Sequence, residues 1–162
     1  RYPRTAGQTG GMSTAPEPDR PSPVLPAPRT VAIALATDIV LVVIFAAIGR
    51  ASHSEEVIGP DGLGLAQTTW PFLVALLVGW LTMRLWRFPL AILNAGVAVW
   101  LYTVIGGMLL RAISGQGVQT AFVIVASIVL AVFLVGWRTI AAIIRRRASR
   151  SAPPAAAPDR AE

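Results

Sequence analysis

Asp38 is the residue in this sequence whose type and position most invite chemistry. It is the single charge in an otherwise apolar stretch from Thr30 to Ile48. A charged side chain near the centre of a bilayer costs at least ~2.5 kcal/mol on insertion scales, so such residues face a bundle interior and often mark ion, proton or substrate paths. At a rise of ~1.5 Å per residue, Asp38 lies roughly 12 Å from the start of its helix. The same count puts Trp80 at about 10 Å, and Thr82 and Asn94 at roughly 7 to 8 Å, from the same end of the bundle. The spacing therefore predicts a polar cluster in which Asp38 binds a proton, a cation or a polar substrate group, with Thr82 and Asn94 as co-ligands. The alternative is structural. Asp38 then accepts hydrogen bonds from Asn94 or Thr82, pairs with a snorkelling Arg84, or is protonated. Trp80 and Trp100 stand inside apolar stretches. They line a pocket across a helix hairpin, or they pack and find internal acceptors for their indole N–H groups.

Other chemistries find less support. His53, Glu55, Glu56 and Asp61 share one connection, but a lone His with loosely spaced acids lacks metal-ligand geometry. No catalytic set, nucleotide-binding Gly loop, nucleophile elbow or metal-helix motif is present. Cysteine is absent, which excludes disulfides and thiolate sites. No metal and no cofactor are expected.

The elements that position these residues follow from composition. The 162 residues are 54% hydrophobic and only 14% charged, and the apolar residues gather into four blocks. That grouping predicts an all-α membrane protein, a four-helix bundle with spans at about 30–48, 68–85, 89–110 and 118–137. The short turn around Arg84 and Arg87 makes the second and third spans an antiparallel hairpin, with Pro89 in a first helical turn. Ile140, Ile143 and Ile144 share a face before Arg145-Arg146-Arg147. They predict a basic amphipathic helix extension over 139–147, whose arginines contact anionic lipid headgroups. Residues 1–29 hold seven of thirteen prolines and read as a disordered tail, as does the Ala/Pro-rich stretch 148–162. Met12 is read as the natural start.

All fourteen basic residues are Arg. A net charge of +6 could serve nucleic acid, but in this setting it reads as orientation, and no nucleic-acid partner is expected. Twelve arginines fall on the side of the two tails and the second connection, and two, Arg50 and Arg111, on the other. The asymmetry predicts both termini in the cytoplasm. Trp70, Trp86 and Trp137 suit interfacial belts, and Arg138 reads as an anchor past a helix end. The absence of Lys with abundant Ala, Gly and Pro suggests a bacterial source and a plasma-membrane location. A weak internal echo pairs Leu77-Val78-Gly79-Trp80 with Leu134-Val135-Gly136-Trp137.

Further residues carry a resemblance. Asp38, Phe45, Gly49-Arg50, His53, Trp70-Pro71-Phe72, Gly79-Trp80, Gly96, Trp100, Gly106-Gly107, Arg111, Phe122 and Gly136-Trp137-Arg138 together resemble an uncharacterised membrane family, the domain of unknown function numbered 3054. The resemblance runs from about residue 30 to 138. It implies four membrane helices and supplies no catalytic residue. The resulting expectation is a small permeation or carrier protein, with a homodimer as its working form, since four short helices barely enclose a path. The alternative is an accessory subunit of a larger membrane complex.

Overall fold

The computed structural model describes residues 25–52, 59 and 62–151. They are all-helical, with four helices long and apolar enough to cross a membrane. Helix α1 spans Pro28–Ser52, α2 Gly64–Thr82, α3 Ile92–Ile113 and α4 Thr120–Ser151. The expected tails over 1–24 and 152–162, and the connection residues His53, Glu55, Glu56 and Asp61, lie outside the described residues.

Side-chain contacts fix the topology. At one level Asp38 of α1 meets Trp80 of α2 and Arg138 of α4. At a second level Phe45 meets Phe72 and Phe122. Moving from the first level to the second, residue numbers rise in α1 and fall in α2 and α4. Gly96 touches Arg138 and Gly107 meets Phe72, so numbers rise again in α3. The bundle therefore runs up, down, up, down, with α1 packed on both α2 and α4. The start of α1, the end of α4 and the α2–α3 connection share one end of the bundle, here the tail end.

The core is apolar and dispersion-packed. Val42, Phe72, Leu76, Val99, Leu130 and Leu134 are fully buried. Phe45, Phe72 and Phe122 form an aromatic cluster with centroids 5.3 to 6.4 Å apart. With no hydrophobic driving force between helices inside lipid, close approach through small residues supplies the packing. Gly79 faces Tyr102, Gly106 faces Ala75 and Gly107 faces Phe72, so glycines pull α2 and α3 together along most of their length.

Two boundaries differ from the sequence expectation. The third helix starts at Ile92, not at Pro89. Thr82 ends α2, a single tight turn covers Leu85–Arg87, and Ala91 is extended at φ −70° and ψ 129°. An extended residue cannot continue a helix, so Pro89 stays outside the ladder. The first six residues of α3, Ile92–Val97, are wound as a π-helix. There the Ala91 carbonyl accepts N–H groups from both Ala95 and Gly96. The second difference is at the far end of α4, which runs without a break through the expected extension over 139–147 and on to Ser151, into the stretch expected as tail. Arg138 therefore sits within a helix rather than at its end.

Candidate functional site: a buried carboxylate–guanidinium pair

Asp38 and Arg138 are both fully buried and form a two-pronged ion pair. Arg138 donates from one terminal nitrogen to Asp38 Oδ1 and from the other to Oδ2, each at 2.8 Å. The planar guanidinium matches the carboxylate fork, which gives such pairs their strength and fixed geometry. Two indoles complete the carboxylate's shell. Trp137 Nε1–H donates to Oδ1 at 2.8 Å and Trp80 Nε1–H donates to Oδ2 at 2.9 Å. An ionised carboxylate offers about four acceptor positions, and all four are occupied.

The arginine is held as closely. Its Nε–H donates to the Pro89 carbonyl at 3.1 Å, and one terminal nitrogen also donates to the Leu134 carbonyl at 2.8 Å. The Pro89 carbonyl is available because the chain is not yet helical there, so no N–H four residues on competes for it. The Trp137 ring lies 4.6 Å from the guanidinium carbon, adding a cation–π contact. Gly96 makes room for the side chain. A Cβ there would sit 3.1 Å from Arg138 Cδ. The node thus draws on α1, α2, the α2–α3 connection, the start of α3 and α4.

The other expected site residues stand apart. Thr82 is exposed and its hydroxyl donates back to the Val78 carbonyl at 2.8 Å. Asn94 is exposed on the π-helical turn. Neither joins Asp38. Trp100 donates its Nε1–H to the Ser127 carbonyl at 2.9 Å, tying α3 to α4. Trp80 and Trp100 do not share a pocket. Arg84, weighed as a partner for Asp38, is exposed in the connection. Arg145, Arg146 and Arg147 are exposed on the last turns of α4.

Sequence reasoning missed Arg138 and Trp137 as partners of Asp38. A signal was present. Among fourteen arginines, Arg138 alone has apolar helical sequence on both sides, Leu130–Trp137 before and Thr139–Ile144 after. An anchor at a helix end has that on one side only.

At the opposite end of the bundle two arginines fasten loops. Arg111 donates to the Gln116 side chain at 2.9 Å and lies 4.7 Å from the Phe122 centroid. Arg50 donates to Thr68 Oγ1 at 3.3 Å. Both Arg50 and Thr68 lie twelve residues from the node, about 18 Å along their helices, so this bond and the node register α1 against α2 at both ends. Among the described residues, no group of three His, Cys, Asp or Glu side chains could hold a metal ion.

A family described as "Protein of unknown function (DUF3054)" matches residues 35–141, a stretch that includes every side chain of the node. No curated protein and no solved structure matches the chain. With most of the four-helix core and the whole Asp38–Arg138 node inside the matched stretch, the chain belongs to the DUF3054 family.

Proposed function

We propose that this chain is a multi-pass membrane protein without catalytic chemistry of its own, which serves as an accessory component of a larger membrane assembly. The observation that carries this reading is the closed state of Asp38. Its acceptor positions are taken by Arg138, Trp80 and Trp137, which leaves no place for a solute group in this conformation. A carrier needs that carboxylate exposed in at least one state, and an enzyme needs a reacting group that meets its substrate. A fully satisfied ion pair joining all four helices suits a rigid scaffold.

Chemical crosslinking in intact cells, followed by solubilisation in mild detergent, tests this reading. The chain is expected to travel with larger membrane partners in fixed ratio. Recovery as a lone, monodisperse protein, with solute flux above that of empty liposomes after reconstitution, would overturn it in favour of a carrier.

The reading includes orientation in the plasma membrane of a bacterium, with both termini cytoplasmic and the α4 arginines Arg145, Arg146 and Arg147 at anionic headgroups. Twelve arginines against two support it. A single cysteine at Ser114, in the α3–α4 connection, is expected to react with an impermeant thiol reagent added to intact cells. One at Arg87 should react only after the membrane is opened. The reverse pattern would invert the topology.

A further inference from the structure

The tail end of the bundle carries a charge imbalance that the described protein does not neutralise itself. Arg29, Arg84, Arg87, Arg145 and Arg146 are all exposed there. Asp38 is the single acidic residue among the described residues, and it is buried against Arg138. Among the described residues no exposed acid stands against these cations, so the surface offers a net positive field to an anionic ligand.

Within this set, the α2–α3 connection has distinct geometry. Arg87 N–H bonds to the Arg84 carbonyl at 3.0 Å, and Leu85–Arg87 form a turn of about three residues. That bond holds the Arg84 and Arg87 backbones one tight turn apart, so two long cationic side chains leave the same short connection. Leu85, between them, is fully buried and pins the turn to the core. Neither guanidinium makes a hydrogen bond or ion pair among the described residues. Arg84 also adopts φ 50° and ψ 46°, the left-handed region, where a Cβ is crowded and glycine is the unstrained choice. A long cation stands where the backbone favours glycine, next to another cation.

Depth adds a second constraint. Arg84 lies about 6 Å beyond the Trp80 level, whereas Arg145 lies ~10 Å and Arg29 ~13 Å beyond the node on their own helices. With the other boundary near Arg50 and Thr68, ~18 Å away, a hydrocarbon core of ~30 Å ends about 12 Å beyond the node. Arg84 is thus the deepest of these exposed cations, its backbone about 6 Å inside that boundary, a distance its long side chain spans to bring the guanidinium to phosphate level, with Arg87 one tight turn away. Exposed Met83, Trp86 and Phe88 interleave with them, which suits contact with glycerol and upper acyl segments.

We infer that the Met83–Phe88 connection is a binding site for one anionic phospholipid, whose phosphodiester sits between Arg84 and Arg87. This deepens the proposed membrane orientation and rests on it. The cysteine-labelling experiment tests orientation separately, so failure of one can be told from failure of the other. The lipid-bound connection is also tied to the buried pair, because Pro89, two residues past Arg87, accepts from Arg138.

The test is titration of purified full-length protein in neutral detergent with phosphatidylglycerol or phosphatidylcholine, read by native mass spectrometry and by thermal midpoint. Wild type should retain phosphatidylglycerol and gain stability from it. The R84Q/R87Q variant should bind it at least about tenfold more weakly, as expected for loss of two headgroup cations. The R145Q/R146Q variant should keep most of the affinity. R84G, whose glycine relieves the left-handed strain, should melt higher than wild type in phosphatidylcholine yet lose affinity for phosphatidylglycerol. It decides the matter if R84Q/R87Q cannot be purified. Unchanged phosphatidylglycerol affinity in R84Q/R87Q or R84G would overturn the proposal. So would the main loss falling on R145Q/R146Q, or equal stabilisation by soluble glycerol phosphate.

Discussion

Asp38→Asn should destabilise the bundle by about 3–5 kcal/mol, the range for breaking a buried ion pair by removing one partner. The cost comes mainly from what is left behind. Arg138 remains fully buried and charged, facing an amide that offers one acceptor oxygen where the carboxylate offered two. The new amide N–H groups point at N–H donors of Arg138 and of one tryptophan. Denaturation in a fixed detergent, followed by tryptophan fluorescence, measures the effect directly, since Trp80 and Trp137 both touch the carboxylate. The double variant Asp38→Asn with Arg138→Gln should recover part of the loss, because no buried charge is then stranded. The charge swap Asp38→Arg with Arg138→Asp should recover none. An indole N–H only donates, and at position 38 the two tryptophans would meet a cation. A loss below ~1 kcal/mol for Asp38→Asn would mean that the pair is not the keystone the geometry describes.

The level of each polar residue was legible in the sequence, whereas its direction was not. Counting at a fixed rise placed Asp38 and Trp80 near one height, and they are hydrogen-bonded. The same count placed Thr82 and Asn94 nearby, yet both point outward. Height follows from rise per residue, but facing depends on how each helix is rotated, and an apolar stretch inside lipid carries little amphipathic signal to set that rotation. Arg138 was misread for a related reason. A span length of about twenty residues ends the fourth membrane span at Trp137 and casts Arg138 as an anchor just beyond it, whereas Arg138 is fully buried within α4. The Pro89 position failed because proline suits a first helical turn and an extended connection equally well. What settled it is tertiary. The Pro89 carbonyl serves Arg138, and a helix starting at Pro89 would have claimed that carbonyl for its own ladder.

Glycines in the α2–α3 interface were visible as letters, but their use depends on which residue faces each. Gly107→Ala should cost about 1–3 kcal/mol through overpacking, more than Gly136→Ala, where nothing lies within 4 Å of the added methyl. A Cβ at Gly107 would overlap the Phe72 ring. That ring cannot step aside cheaply. Phe72 is fully buried, packed edge-on to Phe45 at 5.3 Å and against Phe122 at 6.2 Å. Displacing it therefore disturbs α1 and α4 as well as the hairpin, and reaches Arg111, which stacks over Phe122. Gly79→Ala meets Tyr102 Cβ at 2.7 Å, but Tyr102 is partly exposed and α3 has a lipid-facing side toward which it can shift, so its cost should be smaller. The expected order of destabilisation is Gly107→Ala, then Gly79→Ala, then Gly136→Ala, measured as denaturation midpoints in the same detergent. A compensating Phe72→Leu, which removes the obstructing ring edge, should restore part of what Gly107→Ala loses. If Gly107→Ala proves no worse than Gly136→Ala, the aromatic cluster is not the rigid layer that holds the far half of the bundle, and the Asp38–Arg138 node must keep the four helices in register with only the Arg50–Thr68 and Trp100–Ser127 bonds to help it.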